Sequence, residues 1–155
     1  MKIKKLFNTH FIQLPSYCDF TIVEKLLNKL GDYRVVSVFS SNGISWQKVI
    51  DDFINKNNLF YSKKNNGIYF VYFYNKEQFL ELINTILNYM DAISFALITD
   101  ESIEPQKIVD NCGYNFNIDY KFRFSLDFYQ TDFCIDINCS NAEFKKYKEI
   151  FKTIV

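Results

Sequence analysis

Few residues of this 155-residue chain have the types and spacing that chemistry needs. It holds one histidine, His10, and four cysteines, Cys18, Cys112, Cys134 and Cys139. With one histidine and no C-x-x-C pair, a zinc site would need remote thiolates to converge. Cys134 and Cys139 have opposite parity in one predicted strand, so they face opposite ways and cannot bridge. Reduced, buried thiols are expected, with no metal and no cofactor. The glycines stand far apart at 31, 43, 67 and 113, so no loop cradles phosphate, and no Gly-x-Ser-x-Gly elbow occurs. Carboxylates adjoin at Asp51-Asp52 and Asp100-Glu101. Adjacent helical residues point apart, which disqualifies the first pair as a general acid and base. The second follows a strand end, where active sites often lie, but no base or oxyanion donor is near it in sequence. No catalytic residue is assigned, and the chain is not expected to be an enzyme.

The most legible stretch is 67–90. Ile68-Tyr69-Phe70-Val71-Tyr72-Phe73-Tyr74 lacks polar alternation, so it predicts a strand covered on both faces. Asn75 and Gln78 then form a capping box ahead of a helix with Phe79, Leu82, Ile83, Ile86 and Met90 on its inner side. Upstream, His10 to Leu14 reads as a strand stopped by Pro15. Asp19 or Thr21 caps a helix that ends at Gly31. Tyr33 to Phe39 is a strand, Ser45 caps a helix with Trp46, Val49, Ile50, Phe53 and Ile54 inward, and Leu59 to Tyr61 opens a hairpin whose loop is 63–67. Downstream come a strand over Ala92–Thr99, a short helix from Pro105 to Asn111, and a strand alternating Tyr120, Phe122, Phe124, Leu126 and Phe128 with polar residues. A loop at Tyr129-Gln130-Thr131-Asp132 leads into a return strand, Phe133 to Asn138. Ser140 with Glu143 boxes the last helix, which buries Phe144, Tyr147, Phe151 and Ile154.

These elements predict one α+β domain over 1–155, with a mixed, largely antiparallel sheet and helices packed on it. The order strand-helix-strand-strand-helix, the split β-α-β of ferredoxin-like folds, occurs twice, over 33–91 and 92–155. Gly67 and Thr131 in the two hairpin loops are 64 residues apart, and the caps Asn75 and Ser140 are 65 apart. The expectation is a duplicated unit sharing one sheet, with helices on one side.

The composition is 48% hydrophobic and 23% charged, which excludes disorder. Aromatic residues reach 19%. They accompany many Ile, Asn and Lys and few Ala, Gly, Pro and Arg, a bias toward AT-rich codons that accounts for them without a binding role. Net charge is zero but uneven: residues 1–78 hold 11 basic and 6 acidic side chains, residues 79–155 hold 7 and 12. Such asymmetry bears on partners rather than fold. No stretch is long enough to span a membrane. The basic start at Met1 to Phe7 imitates a signal peptide, but polar residues interrupt it and no small-residue cleavage site follows. A cytoplasmic protein is expected.

Gly67-Ile68-Tyr69-Phe70-Val71-Tyr72-Phe73 resembles the RNP1 strand of RNA-recognition motifs, and the order of elements from Tyr33 to Thr99 is similar to that family's fold. The resemblance implies bases stacked on Phe70 and Tyr72. Against it, Asn66 stands where a basic residue belongs, Ile68 where an aromatic does, and Tyr69 where a small residue does. RNA binding is therefore the alternative reading; a small enzyme, marked by a pocket holding His10 or clustered carboxylates, is a second.

In its whole-chain character the protein resembles the immunity proteins of bacterial toxin systems, including contact-dependent growth inhibition: small, α+β, with an acidic segment and no catalytic set. That resemblance implies binding and neutralising a cognate toxin. An acidic surface would suit a nuclease, whose active site is basic because it holds phosphates. The expected surface comprises Asp127 and Asp136 on the 120–139 hairpin, with Asp100, Glu101, Glu104 and Asp132 in loops. Tyr129 is its expected aromatic anchor.

Overall fold

The computed structural model describes residues 2–6, 9–15, 20–40, 43–64, 67–86, 92–113, 116, 122–129 and 134–154. Cys18, Asp19, the Asn65-Asn66 turn, Met90 and Asp132 lie outside them. Eight strands form one sheet: β1 (Lys2–Leu6), β2 (Thr9–Gln13), β3 (Arg34–Ser40), β4 (Phe60–Lys64), β5 (Ile68–Phe73), β6 (Ala92–Ile98), β7 (Phe122–Tyr129) and β8 (Cys134–Asn138). The helices are α1 (Thr21–Leu30), α2 (Ile44–Asn57), α3 (Lys76–Ile86), α4 (Pro105–Asn111) and α5 (Asn141–Ile154). The strand order is β1-β2-β8-β7-β6-β3-β5-β4, and every neighbouring pair is antiparallel. The fold is α+β.

Local chemistry sets several boundaries. At the start of α3 the Asn75 Oδ1 accepts the Gln78 N–H at 2.9 Å, and Gln78 Oε1 accepts the Tyr74 N–H at 3.0 Å. This is the expected box reaching one residue further back. At α5, Ser140 Oγ accepts the Glu143 N–H at 3.2 Å. The Glu143 carboxylate does not close that box; Arg123 and Tyr147 take it instead. Ser45 and Thr21 lie inside their helices rather than capping them; the cap positions are Gly43 and Phe20, neither with a side-chain bond. Asn58, left-handed at φ 50°, closes α2, and Gly67, at φ 72°, turns the chain into β5.

The strands β6-β3-β5-β4 with α2 and α3 reproduce the ferredoxin-like order expected from the sequence. The second half repeats the order of elements but not the wiring. In the first unit the opening strand β3 pairs with the third, β5; in the second, β6 pairs with the next strand, β7, and β8 continues to β2. The helices also divide. α1, α2, α3 and α5 pack on one face of the sheet, and α4 packs on the other.

Strand β1 replaces the basic start that imitated a signal peptide. Lysine alternates there with Ile3, which packs against the core, and the strand pairs along its length with β2. A second difference lies in β7. Its alternation implied that Phe122 and Phe124 share a face. The register slips between Leu97 and Ile98, so Leu97 pairs with Phe124 and Ile98 with Phe122. The extra residue, Arg123, is a bulge that reverses the parity beyond it. Phe122 joins the cluster beneath α4, and Arg123 reaches α5.

On the four-helix face a file of rings crosses the sheet. Phe73 meets Phe79 at 5.4 Å, Phe79 meets Phe95 at 5.0 Å, Phe95 meets Phe124 at 6.3 Å, and Phe124 meets Tyr147 at 4.6 Å. All are fully or almost fully buried. Aromatic pairs at these separations add to the large area that each ring buries. Phe95 is central to the file. Phe95→Ala is expected to lower stability by about 3–5 kcal/mol. A fall in the denaturant midpoint at unchanged slope is the measurement that checks it.

Candidate functional site

The strand β6 decides how the acidic residues are distributed. Ala92 at its start lies beside Tyr129, Ser94 lies beside Asp127, and Ile98 at its end lies beside Phe122. Asp100, Glu101 and Glu104 follow Ile98, so they sit at the opposite end of the sheet from Tyr129. The expected surface therefore separates into two groups, and Asp132 lies outside the described residues.

The first group forms a corner with aromatic side chains that sequence reasoning did not single out. The end of β5, the start of β4, the start of β3 and the end of β6 meet there. Tyr74, the last residue of the apolar run, is 43% exposed, whereas Tyr69 to Phe73 are buried. Its ring meets Tyr72 at 5.5 Å and Phe60 at 6.4 Å, both edge-on. Phe60 is 37% exposed. Arg34 donates to the Tyr72 hydroxyl at 3.3 Å and pairs with Glu101 at 3.3 Å. Glu104 pairs with Lys107 at 3.0 Å. Asp100 accepts from the backbone and hydroxyl of Ser102, and those bonds hold its carboxyl below the usual range. Exposed rings beside an arginine and a carboxylate rim have the make-up of a protein-binding surface.

The second group lies on the α4 side of the sheet, across β7 and β8. Asp127 and Asp136 are direct cross-strand partners, flanked in register by Ser94 on β6 and Phe11 on β2. Like charges so placed repel. Burial raises the Asp127 carboxyl, which a hydrogen bond from Ser94 offsets in part. Burial and the neighbouring Asp127 push Asp136 up to about 6. Tyr129 is not in the loop but ends β7, half-buried, opposite Cys134. Burial and the two aspartates raise its phenol. Beside this group a groove of about 580 Å³ runs between Asp136 and Cys134 on one side and Lys2 and Lys4 on the other, with Phe11 in its floor.

Phe70 and Tyr72, which the RNP1 likeness would stack on bases, are each 1% exposed and lie in one cluster with Ile108 and Val109 of α4. His10 is buried, stacked on Phe144 at 3.6 Å. Burial and Lys5 lower its pKa from the usual 6.5, so it is held neutral. Cys139 is buried, and burial lifts its thiol to about 12, a value that makes it inert at neutral pH. Cys134 lines the groove on the other face. Among the described residues no group of His, Cys, Asp and Glu is arranged to hold a metal ion, and no helix is long and apolar enough to cross a membrane. Arg123 is structural: its Nε and Nη2 donate to Glu143 at 3.0 and 2.9 Å, and Nη1 to the Tyr33 hydroxyl. Against the cost of burial, bonds from Arg123 and Tyr147 hold Glu143 below the usual carboxylate range.

Compared with known protein families, with curated proteins and with solved structures, the chain matches none.

The aspartate pair has a consequence for stability. An acid whose pKa is raised on folding binds its proton better in the folded chain. The penalty is therefore complete above about pH 6 and is relieved as the pH falls toward the unfolded value near 4. Asp136→Asn removes it, and because the pair is half-exposed the gain at pH 7.5 is about 1 kcal/mol. Urea midpoints of the two proteins should differ at pH 7.5 and converge by about pH 4. His10 contributes with the opposite sign, its stabilisation fading as the pH falls below 6.5, but it is common to both proteins and cancels in the difference.

Proposed function

We propose that the protein binds and neutralises a cognate bacterial toxin, as an immunity protein does, and that the Phe60–Tyr74 corner is its principal contact. One observation carries this reading. Four large apolar side chains stand exposed among the described residues, Ile44, Phe60, Tyr61 and Tyr74, and two of them, Phe60 at the start of β4 and Tyr74 one residue past β5, meet edge-on at one corner. Leaving such side chains in water forgoes the burial that drives folding, and a partner recovers it. Phe60 and Tyr74 act as anchors. Arg34 and Lys107 pair with Glu101 and Glu104, so with Asp100 the rim keeps one net negative charge, which favours a basic partner, and the paired side chains can exchange partners at the contact. A nuclease, with a basic phosphate-holding cleft, is the toxin class such a rim suits. The protein would inhibit by covering that cleft, with no chemistry of its own.

A small enzyme is the second reading. Its support is the groove with Asp136 in its wall and Asp127 beside it, a carboxyl pair with one member titrating near neutral pH. The two readings separate by mutation, because the aspartate pair and the aromatic corner occupy different ends of the sheet.

The test is co-purification with the product of the neighbouring gene, followed by titration calorimetry. A tight complex is expected, with Phe60→Ala and Tyr74→Ala each weakening it by about tenfold or more. Association should slow as salt rises, since steering is screened. No complex, or a complex indifferent to both substitutions, overturns the proposal.

A further inference from the structure

The two edges of the sheet are treated differently. At one end, β4 carries α4 against it, and the Gln106 side chain donates to the Tyr61 carbonyl at 3.0 Å. At the other end, β1 pairs with β2 alone, and among the described residues nothing lies on its far side. Alternate N–H and C=O groups along that side point outward, as they do on any edge strand. Its side chains are unusual. In register, Lys4 sits beside Phe11 and Lys2 beside Gln13, so both lysines project on the α4 side of the sheet. Both are exposed, and neither has an ion-pair partner among the described residues. The nearest carboxylate in register, Asp136, lies two strands in, about 10 Å away across the sheet. Open space of about 580 Å³ lies between, over Phe11. Lys5, on the opposite side, is held by Asn141.

We propose that β1 accepts an extended acidic segment of a partner protein as a ninth strand. A strand added at the edge lies about 4.8 Å from β1, and its side chains alternate between faces with period two. Carboxylates at two alternate positions of that segment then fall beside Lys2 and Lys4, while its backbone satisfies the outward groups of β1. Charge selects the segment, and the main chain supplies the pairing. This surface is separate from the Phe60–Tyr74 corner, at the other edge of the sheet, and does not depend on the toxin reading.

The probe is a fluorescein-labelled hexapeptide alternating glutamate with valine, titrated with the full-length chain and read by fluorescence anisotropy. Two control peptides are used, one with lysine for glutamate and one N-methylated at every amide, which keeps the charge and blocks pairing through either edge. The acidic peptide is expected to bind. The lysine peptide and the N-methylated peptide should each bind at least tenfold more weakly, and the double variant Lys2→Glu, Lys4→Glu should lose the acidic peptide to the same degree. Amide exchange in β1 of the unmodified protein should slow when the peptide is present, which keeps the test valid if the double variant folds poorly. Equal binding of the N-methylated peptide would reduce the effect to charge alone and overturn strand addition. If the lysines serve only to keep edges from pairing, no peptide binds and β1 exchange is unchanged, which also overturns it.

Discussion

The sheet is buried on both faces at β5, β3 and β6, and that constraint organises the molecule. Side chains of β5 point alternately into two apolar clusters. Tyr69, Val71 and Phe73 go under α2 and α3, and Phe70 and Tyr72 go under α4. A strand that is apolar on both faces must be covered on both. The short helix α4 meets that demand on the second face, with Ile108 and Val109 aided by Phe116 and Phe122. α4 has seven residues, and the cluster beneath it takes side chains from β3, β5, β6 and the start of β7. The strands beyond carry polar residues on that face: Asp127, Asp136, Asn138 and Thr9, the last two joined by a hydrogen bond of 2.6 Å.

Both candidate surfaces follow from the limits of that cover. At one end the apolar run continues one residue past the strand, and Tyr74 emerges beside Phe60 and Arg34. At the other, the more polar half of the sheet ends at the lysine-bearing edge. The aspartate pair between them costs stability at neutral pH. The cluster around Glu143 compensates in the opposite sense, joining Arg123, Tyr33 and Tyr147 and fastening α5 to the bulge in β7.

Much of the fold was legible from periodicity. The continuous apolar run of β5, the cap Asn75-x-x-Gln78 and the helix stripes of α2, α3 and α5 each carry a local pattern that packing did not override. Parity arguments also held where the strand was regular, placing Cys134 and Cys139 on opposite faces. They failed at Arg123, because a bulge is one residue of backbone with no sequence mark of its own. Strand β1 was missed because a short lysine-rich edge strand looks like a basic terminus, and only its pairing with β2 distinguishes the two. The position of the carboxylates relative to one another was not legible. Adjacency of Asp127 and Asp136 follows from hairpin register, but the distance of both from Asp100 depends on which way β6 runs past β7. Tyr74 was counted with the buried run, although its place just before a helix cap puts it where the chain leaves the sheet.

Strand β2 is closed onto the sheet by β8, with Thr9 opposite Asn138, 129 residues along the chain. The segment from Arg34 to Ile98 completes its own pairings without either. During synthesis the central unit can therefore assemble while the β1–β2 hairpin, already made, waits for β8 to leave the ribosome. β8 then zips against a strand made 129 residues earlier, with α5 packing over the same face. Loss of β8 would leave that hairpin without its neighbour, however well the centre had formed.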